Sequence, residues 1–424
     1  MTESSQDLRK IIESAVEAVK PERLIKDALK DFCLPHGRLI MLSIGKAAYS
    51  MGKAALEVLG DKIDTGIIIT KHGFVPHPIE NVGSIGKIKV LTAGHPLTDE
   101  ESIKATNVSL DMVSDLKGDD KVLLLLSGGA SALFEEPLIE LDEYNEIVDR
   151  LLKSGASIDE LNTVRKRLSS VKGGRLAEII SPAKVDEYIL SDVLYNRLDI
   201  IASGPVTIDT SKYEDAVAVL ERYEISLNEN VKEVLKRPLP IEITNVSTRI
   251  LACVYDMCIA AKHTAESLGY SAICVKYDVR GEAVNVGKKL ALKSREVVPD
   301  MVIGNDEYKG IVYIYGGETT VKVNGTGIGG RNLETALSAA IDIKGEDNVL
   351  IASIASDGDD GTSGVAGAIV DGETIEKISL NSALEALKNN DSYAALKEAC
   401  AIVDLGVTGT NVNDLMIVLR RTKA

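Results

Sequence analysis

The chain has 424 residues, a formal net charge of −16, 45% apolar residues, no tryptophan and only three phenylalanines. A charge of that sign repels nucleic acid and anionic membranes at long range, so any anion has to be bound locally, and a small phosphorylated ligand fits better than a polymer. The length predicts two or three domains that each bury a core, and the shortage of aromatic residues predicts an aliphatic core of the layered α/β kind.

The amino terminus, Met1-Thr2-Glu3-Ser4-Ser5, is polar with no apolar signal core behind it, and no stretch approaches the roughly 18 apolar residues of a spanning helix. These features predict a cytoplasmic protein. The five cysteines, Cys33, Cys253, Cys258, Cys274 and Cys400, lack CxxC spacing and predict buried thiols in a reducing compartment. Between Asp7 and Lys30 apolar residues recur at helical spacing, with a break at Pro21. Leu39 to Ile44 reads as a buried strand, Gly45 as a turn and Lys46 to Leu59 as a helix. The same grammar recurs at Ile67–Thr70, Ile88–Leu91 and Val122–Leu126, and Tyr188–Asp192 reads as a strand ending in an acid. Strands without apolar alternation belong to a sheet covered on both faces.

Pro238 and Pro240 interrupt helix and central strand alike, which places a domain boundary there. The expected division is 1–240 and 241–424. Beyond it the pattern restarts with strands at Ile250–Val254, Ala272–Val275, Ile311–Tyr315, Val349–Ala352 and Leu415–Leu419. The predicted fold is therefore α/β, with two α/β domains, the N-terminal one Rossmann-like around a mostly parallel sheet.

Open α/β sheets bind ligands at the carboxyl ends of their strands, so the loops there hold the candidate chemistry. Lys46 lies in the first turn of a helix, the wrong end of the dipole for a cation, which suggests either a bound anion or a chance surface lysine. Ser127, Gly128, Gly129 and Ser131 follow the most hydrophobic strand and offer small residues and two hydroxyls, suited to wrapping phosphate or carboxylate, or simply to a tight turn. Asp192 ends a buried strand, where a metal, a proton donor or a helix cap would each explain it. Asp357 lies in the acidic turn Ser356–Gly361, which departs from the EF-hand pattern and suits either magnesium or plain solvation.

The run Gly316, Gly317, Glu318, Thr319 through Gly325, Gly327, Gly329 and Gly330 ends in Arg331, with a helix from Leu333 to Ile343. Glycine backbone, helix start and a fork-shaped cation together read as an anion site with phosphate as guest. Gly325–Gly330 also satisfies GxGxxG, yet Arg331 follows it and the next strand lacks an acid at its end, so a dinucleotide site stands as the alternative. No GxxxxGK[ST] occurs. His72 and His77 flank a proline-bearing loop without a third ligand at matching spacing. The cations Arg165, Lys166, Arg167, Lys172 and Arg175 read as a solvated helix face, with Arg165, Lys172 and Arg175 near enough to one face to reach a carboxylate.

With these loops in view the chain resembles the class II glycerate kinases, the glycerate 2-kinase family whose second half is the MOFRL domain. The resemblance rests on Gly45-Lys46-Ala47, Gly94-His95-Pro96, Ser127–Leu133, Asn162–Ala177, Ser191-Asp192-Val193, Ile201–Pro205, Gly316–Glu334, Ser356–Gly361 and Gly409–Asp414. It implies phosphorylation of D-glycerate by ATP at the 2-hydroxyl, in a cleft between two α/β domains, with magnesium or another divalent cation. The counterparts of the family's proposed catalytic residues are Lys46, Asp192 and Arg331. ATP is expected to contact Ser127, Gly128, Gly129, Ser131, Gly316, Gly317, Thr319, Gly327, Gly329 and Gly330, and the metal Glu318 and Asp357. Ser191, Ser356 and Val407 depart from the family's usual residues. A NAD-dependent dehydrogenase and a non-catalytic anion sensor are the competing readings; nucleic acid and membrane are not expected partners, and the chain is expected to be a monomer or homodimer.

Overall fold

Uninterrupted aliphatic runs become the central strands of two separate sheets. The computed structural model describes residues 2–75, 82–296 and 308–422. Its contacts divide into two compact units: Pro21–Leu251, and Met1–Lys20 together with Ala252–Ala424. His77 of the suggested histidine pair lies outside the described residues.

The first unit is built on seven strands: β1 (Leu39–Ile44), β2 (Thr65–Lys71), β3 (Val82–Ile85), β4 (Ile88–Ala93), β5 (Lys121–Leu126), β6 (Lys184–Leu190) and β7 (Val246–Ala252). Their order is β3-β4-β2-β1-β5-β6-β7. Strands β4, β2, β1, β5 and β6 run parallel, while β3 is antiparallel to β4. Every residue of β1 and β5 is buried, as a strand covered on both faces requires. The chain runs outward from β1 through β2 to β4 on one side and through β5 to β6 on the other. The order therefore reverses between β1 and β5, and the carboxyl ends of those strands flank a topological switch point. A satellite core of Tyr144, Val148, Leu151, Val164, Leu220 and Leu235 sits among the helices Leu141–Lys153, Ile158–Leu168, Tyr213–Arg222 and Glu229–Leu235.

Glu187 on β6 is an exception to the apolar sheet. It is 2% exposed, and its side-chain oxygen accepts from Thr248 Oγ1 at 2.5 Å. Burial pushes its pKa up to about 7, with the Thr248 bond pulling the other way. The folded state thus holds a proton that the unfolded chain releases near pH 4.5. Stability from this group is full below that pH and is lost as pH rises through about 7. Glu187→Gln keeps an acceptor for Thr248 and removes the charge, so at pH 8 it should stabilise by about 3 kcal/mol. Thermal unfolding of both proteins at pH 5 and pH 8 checks this. Equal losses on alkalinisation would contradict it.

The second unit holds six strands: β8 (Ser271–Val279), β9 (Gly310–Gly317), β10 (Val349–Ala355), β11 (Gly367–Asp371), β12 (Ile402–Val403) and β13 (Asp414–Arg421), in the order β12-β11-β10-β13-β9-β8. Only β8 and β9 pair in parallel; the rest pair antiparallel. Helices Ala283–Ser294 and Arg331–Asp342 pack together on a core that includes Leu290, Leu333, Leu337, Ile351 and Met416. No described helix is long and apolar enough to cross a membrane.

Three expectations shift. The strand expected at Ile250–Val254 is β7, which begins at Val246 and closes the first sheet, and Val254 opens the helix Val254–Ser267. The units divide at Leu251/Ala252 rather than at 240/241, and helix Glu3–Ala18 belongs with the second unit. There Tyr270 Oη donates to Asp7 Oδ2 at 3.1 Å and Thr410 Oγ1 to the Val19 carbonyl at 2.7 Å. Of the cysteines, Cys253 and Cys258 are buried, Cys274 is partly so, and Cys33 and Cys400 are exposed.

Candidate active site

In the first unit the loops after β1 and β5 are stitched together at the switch point. Gly45 has φ +127°, and a Cβ there would fall 2.2 Å from Ser127 Oγ. Only glycine fits both constraints. The Lys46 amide donates to the Gly128 carbonyl at 2.8 Å and the Ala47 amide to Ser127 Oγ at 3.0 Å. Ser127, 1% exposed, therefore serves as the clasp between the loops. Gly129 has φ +86°, and a Cβ on it would lie 3.3 Å from both Lys46 Cγ and His95 Cδ2. Lys46 and His95 thus converge over Gly129, joining the ends of β1, β4 and β5.

Strand β6 lies beside β5, with Leu126 opposite Ile189, so Ser191 and Asp192 emerge at the same edge as Ser127. Ser191 Oγ accepts from the Val193 amide at 3.3 Å, which turns the chain immediately after the strand. Ser131 Oγ lies 3.0 Å from Ser203 Oγ, which donates to Asn162 Oδ1 at 2.7 Å. The sequence offered Asn162 and Ser203 only within longer stretches.

The expected solvated cation face is instead buried. Arg165, Lys166, Arg167, Lys172 and Arg175 are each at most 9% exposed. Lys172 Nζ sits 3.2 Å from Glu135, itself fully buried, and donates to the Phe134 carbonyl at 2.7 Å. Burial lowers the Lys172 pKa, while Glu135 raises it. Arg167 donates to the carbonyls of Leu235 and Ser211, and Arg175 to those of Lys166 and Ser169. Carbonyls left over at chain turns thus take up guanidinium donors. Lys166 pairs with Asp209 at 3.3 Å.

His72 Nε2 lies 3.1 Å from Asp99 Oδ2, and donor atoms of His72, Asp99 and Glu101 gather within 4.8 Å. Asp99 also caps helix Glu100–Val113 through the Ser102 amide. That cap and its histidine partner account for the group as a helix terminus.

In the second unit β9 and β10 both run antiparallel to β13, so Gly317 and Ala355 end at the edge where Asp414 begins. Arg331 donates from Nε and Nη2 to the two oxygens of Asp414, at 2.5 and 2.9 Å, and lies 3.0 Å from Glu318. Asp414 is fully buried, whereas Arg331 and Glu318 keep 31% and 47% of their side chains exposed. Burial works against the charge on Arg331, but Asp414 and then Glu318 hold its pKa well above the ordinary arginine value. Asp357, 6% exposed, accepts from the Asp359 amide at 3.1 Å.

The glycine-rich turn departs from the expected phosphate cradle. Asn324 and Gly325 amides donate to Asn390 Oδ1, the Thr326 amide to Asn389 Oδ1, the Gly327 amide to the Asn389 carbonyl and the Ile328 amide to Asp391 Oδ1. A Cβ on Gly325, Gly327 or Gly329 would lie within 2.5 Å of Asn389, Asp391 or Ser392. These glycines admit the turn at 389–392, not a ligand. The start of helix Arg331–Asp342 is likewise taken: Asn332 and Leu333 amides donate to the two oxygens of Asp360, at 3.0 and 2.8 Å. Burial raises the Asp360 pKa to about 6 although both amides lower it. Gly316 and Gly317 are needed for packing against Val254 and Val279. Thr319 is 2% exposed, with its hydroxyl lacking a hydrogen-bond partner. The same packing removes the ground for a dinucleotide fingerprint at Gly325–Gly330. Sequence reasoning held Asp360 and Asp414 only inside the stretches Ser356–Gly361 and Gly409–Asp414 and gave neither a role; the signal for Asp414 was an acid opening an otherwise aliphatic strand.

The carboxylates of Glu318 and Asp357 are hard oxygen donors of the kind that suits magnesium; each is already engaged, by Arg331 and by the Asp359 amide, as are both oxygens of Asp414 and of Asp360.

A doubly wound parallel sheet whose switch point carries a lysine, hydroxyls and tight glycine turns, and a second α/β unit with an arginine at its strand ends, define a two-unit α/β protein whose candidate chemistry lies at strand ends. A family model described as a domain of unknown function (DUF4147) matches residues 7–236, and the MOFRL family model matches residues 311–414. The chain is 45% identical to the D-glycerate 2-kinase of Thermotoga maritima over 96% of each chain, and 35% identical to the glycerate 2-kinase of Pyrococcus horikoshii over 99% of each. The crystal structure of glycerate kinase from Thermotoga maritima superposes with a TM-score of 0.89 at 44% identity, covering 99% of this chain and all of that one. The chain belongs to the MOFRL-containing family of class II glycerate kinases.

Proposed function

We propose that the protein is an ATP-dependent kinase that phosphorylates D-glycerate at its 2-hydroxyl to give 2-phosphoglycerate. The observation that carries this reading is the match over 96% of both chains to a D-glycerate 2-kinase at 45% identity. Phosphoryl transfer is governed by positioning and charge neutralisation, and the residues suit that demand. Lys46 and Arg331 neutralise charge on the transferring group. Asp192 accepts the proton of the attacking hydroxyl. The loop Ser127–Ser131 holds polar oxygens of the substrates, and Gly316, Gly317, Thr319 and Gly330 border the nucleotide; Gly327 and Gly329, packed on the turn at 389–392, keep a packing role. Glu318 and Asp357 would hold magnesium, which supplies charge neutralisation at the phosphates when bound.

The test is a phosphorus NMR spectrum after incubation with ATP, magnesium and D-glycerate. Phosphate on the 2-hydroxyl couples to one methine proton and gives a doublet; phosphate on the 3-hydroxyl couples to a methylene and gives a triplet. A doublet that appears only with all three components supports the reading. A triplet would reassign the position, and the absence of a new ester would reject the kinase.

A further inference from the structure

Asn162, Ser203 and Ser131 form a chain of side chains that leads from the interior of the first unit to its switch-point loop. Asn162 is 2% and Ser203 0% exposed, while Ser131 is partly exposed. A serine hydroxyl has one proton to give and two lone pairs to accept with. Ser203 gives its proton to Asn162 Oδ1, so the proton in the 3.0 Å contact between the two serines comes from Ser131. Ser131 consequently turns only lone pairs toward a ligand.

The backbone holds this arrangement at a cost in conformation. Ala202, Ser203 and Gly204 have φ of +52°, +60° and +62°, three successive left-handed residues of which two are not glycine. The turn is tied to the next segment by the Gly173 amide on the Ser203 carbonyl at 3.2 Å and the Gly174 amide on the Gly204 carbonyl at 2.8 Å. Asn162 is fixed in helix Ile158–Leu168, and its buried Nδ2 has no hydrogen-bond partner, so the amide serves the chain only through its oxygen. A strained turn and a buried donor left unmatched are both unfavourable, and both centre on the direction of one hydroxyl.

We propose that Ser131 is a specificity-determining acceptor that takes a hydrogen bond from the substrate hydroxyl that is not phosphorylated, with Ser203 and Asn162 as positioning residues that set its polarity. This rests on the hydroxy-acid kinase reading. Phosphate and carboxylate oxygens present lone pairs and would oppose those of Ser131, whereas a hydroxyl presents a proton. The hydroxyl under phosphorylation needs a more basic partner than serine, which leaves the second hydroxyl for Ser131.

D-lactate keeps the carboxylate and the 2-hydroxyl but lacks the 3-hydroxyl, and it competes for the site whether or not it is phosphorylated. The measured quantity is the ratio of its inhibition constant to the KM for D-glycerate. In Ser131→Ala this ratio should fall about tenfold, the net value of one hydrogen bond, through a rise in glycerate KM with lactate inhibition and ATP KM nearly unchanged. Ser203→Ala should lower it several-fold. Asn162→Asp retains the accepting oxygen and loses no bond at Nδ2, so it should preserve the ratio. An unchanged ratio in Ser131→Ala, or a loss that falls on ATP instead, overturns the proposal. So does an Asn162→Asp variant that unfolds at the wild-type temperature yet behaves like Ser203→Ala. Wild-type turnover of glycerate separates the two levels: turnover with unmoved ratios removes this inference alone, and no turnover removes both.

Discussion

Arg331→Ala is expected to lower kcat by on the order of 10³, the loss typical of an arginine that neutralises charge in phosphoryl transfer. The fold should suffer too, since the substitution leaves the fully buried Asp414 without its bidentate partner. Breaking one side of such a pair costs about 3 kcal/mol. A damaged fold and a missing catalytic charge must therefore be separated. Adding Asp414→Asn to Arg331→Ala removes the orphaned charge and should recover most of the unfolding temperature while leaving kcat low. A stable double variant with wild-type kcat would show that Arg331 is an internal ion pair and nothing more. Arg331→Lys, which keeps the charge but loses the fork to Asp414, should fall between the two.

Lys46→Met is expected to lower kcat by on the order of 10² or more, comparable to removing one preorganised charge or donor at a developing oxyanion. Its effect on stability should be smaller than that of Arg331→Ala. Lys46 stands just ahead of the helix Ala48–Leu59, where a cation faces the positive end of the dipole, a placement that offsets by about 0.3–1 kcal/mol whatever its side chain contributes to the fold. The loop should persist, because its clasp is made by the Lys46 and Ala47 amides with Gly128 and Ser127. A small change in unfolding temperature together with a collapse of kcat is the signature of a residue kept for chemistry. Unchanged kcat would return Lys46 to an ordinary surface lysine.

What could be read from the sequence was mostly what neighbouring residues decide. Strands β1 and β5 were legible because six successive buried residues leave no other structure. The loops after them were legible because small residues there follow from strand ends in a parallel sheet. Strand β7 was shifted because Pro238 and Pro240 suggested a boundary before the first sheet was complete. The parts that failed depend on partners distant in the chain. Nothing near Arg167 foretells the Leu235 and Ser211 carbonyls that make its burial tolerable. The glycines of 325–329 look like a ligand turn because glycine spacing is the same whether phosphate or the backbone of 389–392 comes close. Arg331 was found through its charge, whereas the role of Asp414, 83 residues later, became visible only through the bond between them.

The assignment of helix Glu3–Ala18 to the second unit has a consequence for biosynthesis. This segment is translated before the intervening unit, and the helix it packs against, Val254–Ser267, only after the whole of it. At roughly 5–20 residues per second the nascent helix waits for tens of seconds with Leu8, Ile11, Ile12 and Val16 uncovered. Deleting Glu3–Ala18 would accordingly be felt far along the chain, by the face of helix Val254–Ser267 that it covers.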